Sequence, residues 1–418
     1  MTEGSDSLQP GNTVGEFSAF NPYAMTTATF YQTLAKAREI EPIFYSDVLG
    51  SWVATRYDDV VRITQDPETF SSRSVFPKPT GLPGAAQDAM DFLFAKSVLI
   101  LGDPPEHGPV RRIVHEGFKP RVVAAFEPQA RALIAGKVDR LPDGRFDLVS
   151  GLAFETALAV LMRFMGIPAD QYEFVREWRE SSQMLLLGSA GLDTDRLLAL
   201  GETYMRGVEY FVGLSEERRA APGDDFMSLM TGIEIGGRRL DDEEVVGQVV
   251  TLFGAGTEST ANSLVNIVLA LLEEPGRWDR LVRGEIDADK AATEGLRYDI
   301  PGFGVFRAVT RDTRFGDVSF RAGDLVLLSF AAANHDPKYF SDPDEFRLDR
   351  PVRADLTYGY GIHNCVGAAI AKLTLNLTLT ALVRRFPRLR LLPDQEMTYQ
   401  VNSISRVLAA LWLDGDPC

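Results

Sequence analysis

The stretch Tyr358-Gly-Tyr-Gly-Ile-His-Asn-Cys365-Val-Gly367 decides the reading of this 418-residue chain. Gly359 and Gly361 allow backbone angles that other residues resist, so the segment reads as a folded-back loop. After it, from Ala368 to Val383, apolar side chains recur at helical spacing: Ala369, Ile370, Leu373, Leu377 and Ala381. The loop therefore delivers Cys365 to a helix N-terminus. Unpaired backbone amides and the positive end of the helix dipole favour a thiolate there. Gly367 leaves room for a flat ligand against the first turn. The plainer alternative is a cysteine acting as a small buried hydrophobe. A zinc site finds little support: the other cysteine is Cys418, and no Cys-x-x-Cys occurs.

These residues resemble the haem-binding loop of the cytochrome P450 superfamily, Phe-Gly-x-Gly-x-His-x-Cys-x-Gly. Every fixed position matches except the first, where Tyr358 replaces Phe. The resemblance implies a mainly α fold with a small β region. A long central helix would lie over the haem, with the cysteine loop and its helix beneath. It implies Cys365 as the metal ligand of a haem b iron, with Tyr358, Gly359, His363 and Gly367 around the haem. A thiolate ligand pushes electron density toward O–O cleavage. The resemblance covers nearly all of the chain after residue 20. It gives a flexible arm over 1–20 and a single P450 domain over 21–418.

Composition agrees. The chain has 43 basic and 59 acidic residues, a net charge of −16, which argues against general nucleic-acid binding. Two cysteines make no disulfide framework and suit a reducing cytosol. Met1 to Gly15 lacks the apolar core of a signal peptide, and no apolar run approaches a membrane span. A soluble cytoplasmic protein with no membrane partner is expected.

Other motifs fall in order. In Asp103-Pro-Pro-Glu-His107-Gly-Pro-Val-Arg111, His107 and Arg111 are four apart and share a helix face. Alone they read as a solvated basic face. The match to the family's helix here makes them partners of haem propionates, and Arg307 fits the second propionate arginine. His115 reads as ordinary surface. Residues 70–99 read as a long Ser-, Pro- and Gly-rich loop, which roofs the substrate in the family. Leu186 to Leu192 reads as a glycine joint between helices over 172–187 and 194–219, resembling the family's mobile lid.

Asp241-Asp-Glu-Glu244 opens the longest helix, running to Glu274, with an N-cap acid and a Glu three residues on. Gly254 and Gly256 inside it cost roughly 1 kcal/mol each relative to Ala and call for a reason, such as close approach of a ligand. Ala255, Gly256 and Glu258 match the family's oxygen-activation motif, with Ser259 where Thr is usual. Glu258 and Ser259 are the expected catalytic pair. Taken alone, Ser259 would bond back to Ala255 and Glu258 would be a surface residue. Glu294 and Arg297, three apart, read as an ion pair. The family buries such a pair and adds a further arginine, here Arg350; all three are expected to be structural.

The resemblance implies a haem-thiolate monooxygenase supplied with electrons by a separate ferredoxin and ferredoxin reductase. Arg112, Lys119, Arg121 and Lys372 are candidate contacts for an acidic ferredoxin. Phe94, Leu185, Phe253, Phe303, Phe306 and Ile404 are candidate contacts for an apolar small-molecule substrate. Two alternatives stay open: a peroxide-driven or non-oxygenating enzyme of the same fold, and a non-enzymatic haem sensor or carrier.

Overall fold

A computed structural model of the protein describes residues 15–76, 78–187, 191–351, 353–401 and 405–416. Fifteen α-helices are seen among them. They are α1 Thr27–Ile40, α2 Tyr57–Thr64, α3 Gly84–Lys96, α4 Val98–Leu101, α5 His107–Glu116, α6 Pro120–Asp139, α7 Phe154–Met165 and α8 Tyr172–Leu187. The rest are α9 Thr194–Ala220, α10 Phe226–Gly232, α11 Asp242–Leu272, α12 Arg277–Val282, α13 Ala288–Tyr298, α14 Phe330–Ala333 and α15 Ala368–Arg385. The strands are few and short. β1 Ile43–Ser46, β2 Ser51–Ala54, β3 Phe70–Ser71, β5 Val305–Val309 and β8 Leu325–Leu328 form one sheet in the order β1-β2-β8-β5-β3. β4 Gly144–Asp147, β9 Arg390–Leu391 and β12 Trp412–Gly415 form a second, with β12 central. β6 Thr313–Phe315 pairs with β7 Val318–Phe320, and β10 Tyr399–Val401 with β11 Arg406–Leu408.

The core has two parts. The larger surrounds α11, which is apolar on most of its circumference. The smaller joins α1, the five-stranded sheet and α14. α11 starts as its sequence dictates. The Asp241 carboxylate accepts from the Glu244 amide at 2.7 Å and the Glu244 carboxylate from the Asp241 amide at 3.1 Å, a reciprocal capping box. Its 31 residues span about 46 Å at the α-helical rise.

One expectation needs correction. The segment 70–99 is not a continuous loop, because α3 and the start of α4 occupy it. α3 packs against glycines on its neighbours. A Cβ on Gly247 of α11 would meet the Lys96 carbonyl oxygen at 2.5 Å, and one on Gly201 of α9 would collide with the Ala85–Ala86 backbone. At its described N-terminal end the chain packs against the smaller core. Phe17 and Phe20 are buried against Phe44.

Glu294 and Arg297 of α13 form the deepest ion pair. Arg297 donates to both carboxylate oxygens, at 2.9 and 2.8 Å, and Arg350 donates to the same oxygens at 3.0 and 3.1 Å. Their burial removes the alternative of a surface bridge: Glu294 is 5% and Arg297 2% exposed. Arg297→Ala leaves a buried carboxylate short of its main partner, costing about 3–5 kcal/mol. The expected result is a large fall in soluble, haem-loaded protein and in the urea midpoint. Normal yield and midpoint would count against a structural role for the pair.

Candidate functional site

An apolar-lined cavity lies between α11 and the Tyr358–Gly367 loop. Thr251, Leu252, Ala255, Gly256, Ser259, Thr260 and Ser263 line it from α11. Tyr358, Gly359, His363, Cys365, Gly367 and the first turns of α15 line it from below.

Backbone geometry aims the cysteine. Gly359 and Gly361 have φ of 70° and 74°, in the left-handed region that glycine tolerates. A Cβ on Gly361 would come within 2.7 Å of the Thr64 carbonyl oxygen, so no larger residue fits. The Cys365 amide donates to the Tyr358 carbonyl at 2.8 Å, and the Asn364 side chain bridges the Tyr358 and Gly359 carbonyls. Cys365 is exposed, but its exposure is to this cavity. Burial within the protein raises its thiol pKa, while the amides of Gly367 and Ala368 and the Arg111 charge pull it down. The helix-terminus effect expected from sequence is present, and desolvation outweighs it.

At one edge sits a cluster of basic groups. Arg307 is 8% exposed, and burial lowers its guanidinium to about 10. Arg111 donates to the Asn364 carbonyl at 2.5 Å. The rings of His107 and His363 lie 4.3 Å apart, and the enclosed Nε2 of each has no partner among the described residues. Burial, followed by the charges of Arg307 and His107, lowers His363 to about 3. The nearby carboxylate of Asp103 is engaged by the Ser71 hydroxyl and the Ser72 amide. Two guanidinium groups beside two unpartnered imidazole nitrogens suit an anionic partner, which would favour the protonated rings. A flat apolar slot, a cysteine on one face and basic groups at one edge fit a haem with its two propionates.

On the upper side, the Ser259 hydroxyl donates to the Ala255 carbonyl at 2.6 Å, the back-bonded geometry. Glu258 does not line this cavity. It faces the other way, accepting from Gln183 Nε2 at 2.8 Å, with Arg179 at 3.4 Å. Gly256 lines the cavity, and a Cβ there would meet only Leu161, at 3.5 Å. The Tyr358 hydroxyl is buried without a partner among the described residues, and the Lys372 ammonium lies 5.2 Å from its ring centre.

Of the expected substrate contacts, Phe306 lines the cavity. Phe94 lines a separate pocket with Arg73 and Val98. Leu185 and Phe253 lie in the large core, where Phe253 packs edge-on to Trp178. Phe303 packs in the smaller core against Phe30 and Tyr23. Ile404 lies outside the described residues. Val75, Phe76, Ile100, Val160 and Leu161 line the cavity and were missed. The helical phase of Val160 and Leu161 on α7 was the available signal. Arg112, Arg121 and Lys372 are exposed, while Lys119 pairs with Glu116 at 2.5 Å.

The family model "Cytochrome P450" matches residues 214–407. The chain is 33% identical to cyclomarin C epoxidase CymV of Salinispora arenicola (strain CNS-205), over 86% of this chain and 90% of that one. It is 33% identical to nocardicin C N-oxygenase of Nocardia uniformis subsp. tsuyamanensis, over 85% of this chain and 87% of that one. Among solved structures, cytochrome P450 CREJ in complex with (4-ethylphenyl) dihydrogen phosphate superposes with a TM-score of 0.83. That match is 27% identical and covers 96% of this chain and 100% of that one. The chain belongs to the cytochrome P450 superfamily, bacterial type, and is a haem-dependent monooxygenase. Among the described residues no helix is long and apolar enough to cross a membrane.

The histidine pair sets a pH dependence. With its folded pKa depressed to about 3, His363 stays neutral in the haem-free fold while the unfolded chain protonates near 6.5. Stability of the haem-free protein is therefore fully present above pH 6.5 and falls as the pH drops from there toward 3. Urea midpoints of the haem-free protein measured across this range check it. His363→Phe should flatten the fall, and an equal slope in both proteins would refute the assignment.

Proposed function

We propose that this protein inserts oxygen from O2 into a small to medium apolar organic molecule, drawing electrons from a separate ferredoxin and ferredoxin reductase in the cytoplasm. One observation carries the reading: a single, mostly apolar cavity opens at once onto Cys365, Ser259 and the basic edge. No carboxylate lines it among the described residues, so nothing there would anchor a cationic substrate. The names of the two relatives, an epoxidase and an N-oxygenase, are consistent with oxygen insertion on varied substrates.

In this reading Cys365 holds the iron of haem b, and His107, Arg111, Arg307 and His363 hold its propionates. Bound there, haem supplies O2 activation and the oxidation of carbon or nitrogen. The chain does the rest. Burial around Cys365 excludes water from its sulfur. Val160, Leu161 and Phe306 give the substrate an apolar wall. Ser259 Oγ donates to Ala255, which leaves its lone pairs facing the cavity to hold a water. Ser259 Oγ would thereby keep a proton donor at the α11 wall of the cavity. Glu258, on the outer face of α11, passes protons inward from solvent.

Cys365→Ser should abolish the red-shifted Soret band of the reduced carbon-monoxide complex, and Cys418→Ser should leave it. Equal behaviour of the two variants would remove Cys365 as the ligand.

Ser259→Ala should leave substrate-induced spectral shifts and haem reduction nearly intact. Product formed per NAD(P)H consumed should drop, with peroxide rising in its place. Placed proton transfer contributes about 10²–10⁴-fold, and neighbouring water recovers part of it. Ser259→Thr should hold or improve the ratio. A ratio unchanged in Ser259→Ala would show that protons arrive by another path.

A further inference from the structure

Five side chains of α11 carry an aliphatic hydroxyl: Thr251, Thr257, Ser259, Thr260 and Ser263. Four of them donate to the carbonyl four residues earlier. Thr251 bonds Gly247 at 2.8 Å, Thr257 bonds Phe253 at 2.9 Å, Ser259 bonds Ala255 at 2.6 Å and Ser263 bonds Ser259 at 2.7 Å. Thr260 is the exception. The Gly256 carbonyl stands four residues before it, yet the Thr260 hydroxyl has no hydrogen-bond partner among the described residues. Threonine has that choice, because its two helical χ1 wells differ in whether the hydroxyl meets the carbonyl. Thr260 is 9% exposed and lines the front cavity, the one that opens onto Cys365. Its neighbours Glu258, Ala261 and Asn262 line a second cavity, behind α11. The other aliphatic hydroxyls in the front cavity wall are engaged as well. Thr374 donates to the Ile370 carbonyl at 2.8 Å, and the Thr357 hydroxyl accepts from the Asn334 amide at 3.2 Å. Thr260 thus presents to the cavity a polar group that the fold leaves uncommitted.

We propose that Thr260 is a specificity-determining residue whose hydroxyl donates to a neutral carbonyl oxygen on an otherwise apolar substrate. A nearly buried hydroxyl left without a partner is costly, and native proteins seldom keep one without a use for it. A carbonyl that leaves water for an apolar cavity carries the matching cost unless it finds a donor. The surrounding wall offers it little else: Val75, Phe76, Leu161 and Phe306 are apolar, and the arginines and histidines at the basic edge are taken by the propionates. Thr260 carries a dipole and no charge, so it suits a ketone, ester or amide rather than a carboxylate. One hydrogen bond also fixes which way round the molecule lies, because apolar contacts are non-directional. The proposal deepens the monooxygenase reading and rests on it, and its test separates the two.

The test pairs one change in the protein with one change in the ligand. The probes are α-tetralone with tetralin and fluorenone with fluorene, each pair differing by a carbonyl in place of a methylene. Their dissociation constants are measured on haem-loaded protein by equilibrium dialysis, which needs no turnover. Thr260→Val keeps the branched shape and removes the hydroxyl. It should weaken ketone binding about three- to tenfold, the net worth of one neutral hydrogen bond. Hydrocarbon binding should hold or tighten. The Tm should hold or rise, because the lost hydroxyl had no partner within the protein. Equal shifts for ketone and hydrocarbon, no shift for either, or no ketone bound by the wild type would each overturn the proposal. A lowered Tm overturns it as well, since the hydroxyl would then have a partner in the fold. A wild-type enzyme that forms no product with any electron donor would instead refute the monooxygenase reading, and the binding result would stand without it.

Discussion

The Glu294 carboxylate is the constraint on which the lower half of the molecule depends. It is buried, and Arg297, Arg350 and the Arg347 amide satisfy it together. Arg297 then spends its remaining donors on the carbonyls of Asn334, Pro343 and Glu345. Asn334 in turn accepts from the Leu356 amide at 2.7 Å, two residues before Tyr358. A continuous set of polar contacts thus runs from α13 to the entrance of the cysteine loop. Well-packed apolar residues can replace a buried ion pair without loss of stability in many proteins. Here they would strand the carbonyls of Asn334, Pro343 and Glu345, which lie in irregular structure with no helix or sheet to bond to. The five-donor fork of arginine suits that task, and a lysine in its place would not.

Above this base the cysteine loop is held by its own backbone, while the edge of the cavity is held against its electrostatic preference. Two arginines and two histidines converge there, and burial depresses all four. In a chain of net charge −16 this concentration of basic groups is local. Its desolvation cost is offset only by an anionic partner, so the fold stores a preference for one. Structural ion pairs elsewhere, such as Arg218 with Asp225, already have their acid and carry no such preference.

The cysteine loop was legible in sequence because its shape is written in glycines at positive φ, a strictly local property. The capping box of α11 was legible for the same reason. α3 was not: Ser, Pro and Gly surround it, and its helicity depends on Gly201 and Gly247, which lie far away in the chain and let its backbone come close. The pocket list failed on direction. Phe94, Phe253 and Phe303 are aromatic and near the right elements, but helical phase turns the first two, and the path of the loop before β5 turns the third, into the core or another cavity. Composition names the residue type a pocket needs. Only the packing of neighbouring elements decides which of two faces it occupies.

Glu258 and Ser259 show the same limit at the scale of one peptide. Adjacent residues on a helix point about 100° apart, since the helix turns once in 3.6 residues. Ser259 therefore opens to the front cavity and Glu258 to the rear one. α11 acts as a wall between two cavities, with one residue of the pair on each side. This gives the back-bond to Ala255 a purpose. Serine lacks the methyl group that restricts χ1 in threonine. Without that restriction its hydroxyl would sample the wall in several directions. The bond to the carbonyl four residues earlier removes this freedom and leaves the oxygen's acceptor side over the cavity. The helix backbone thus supplies at Ser259 the orientation that side-chain branching supplies in threonine.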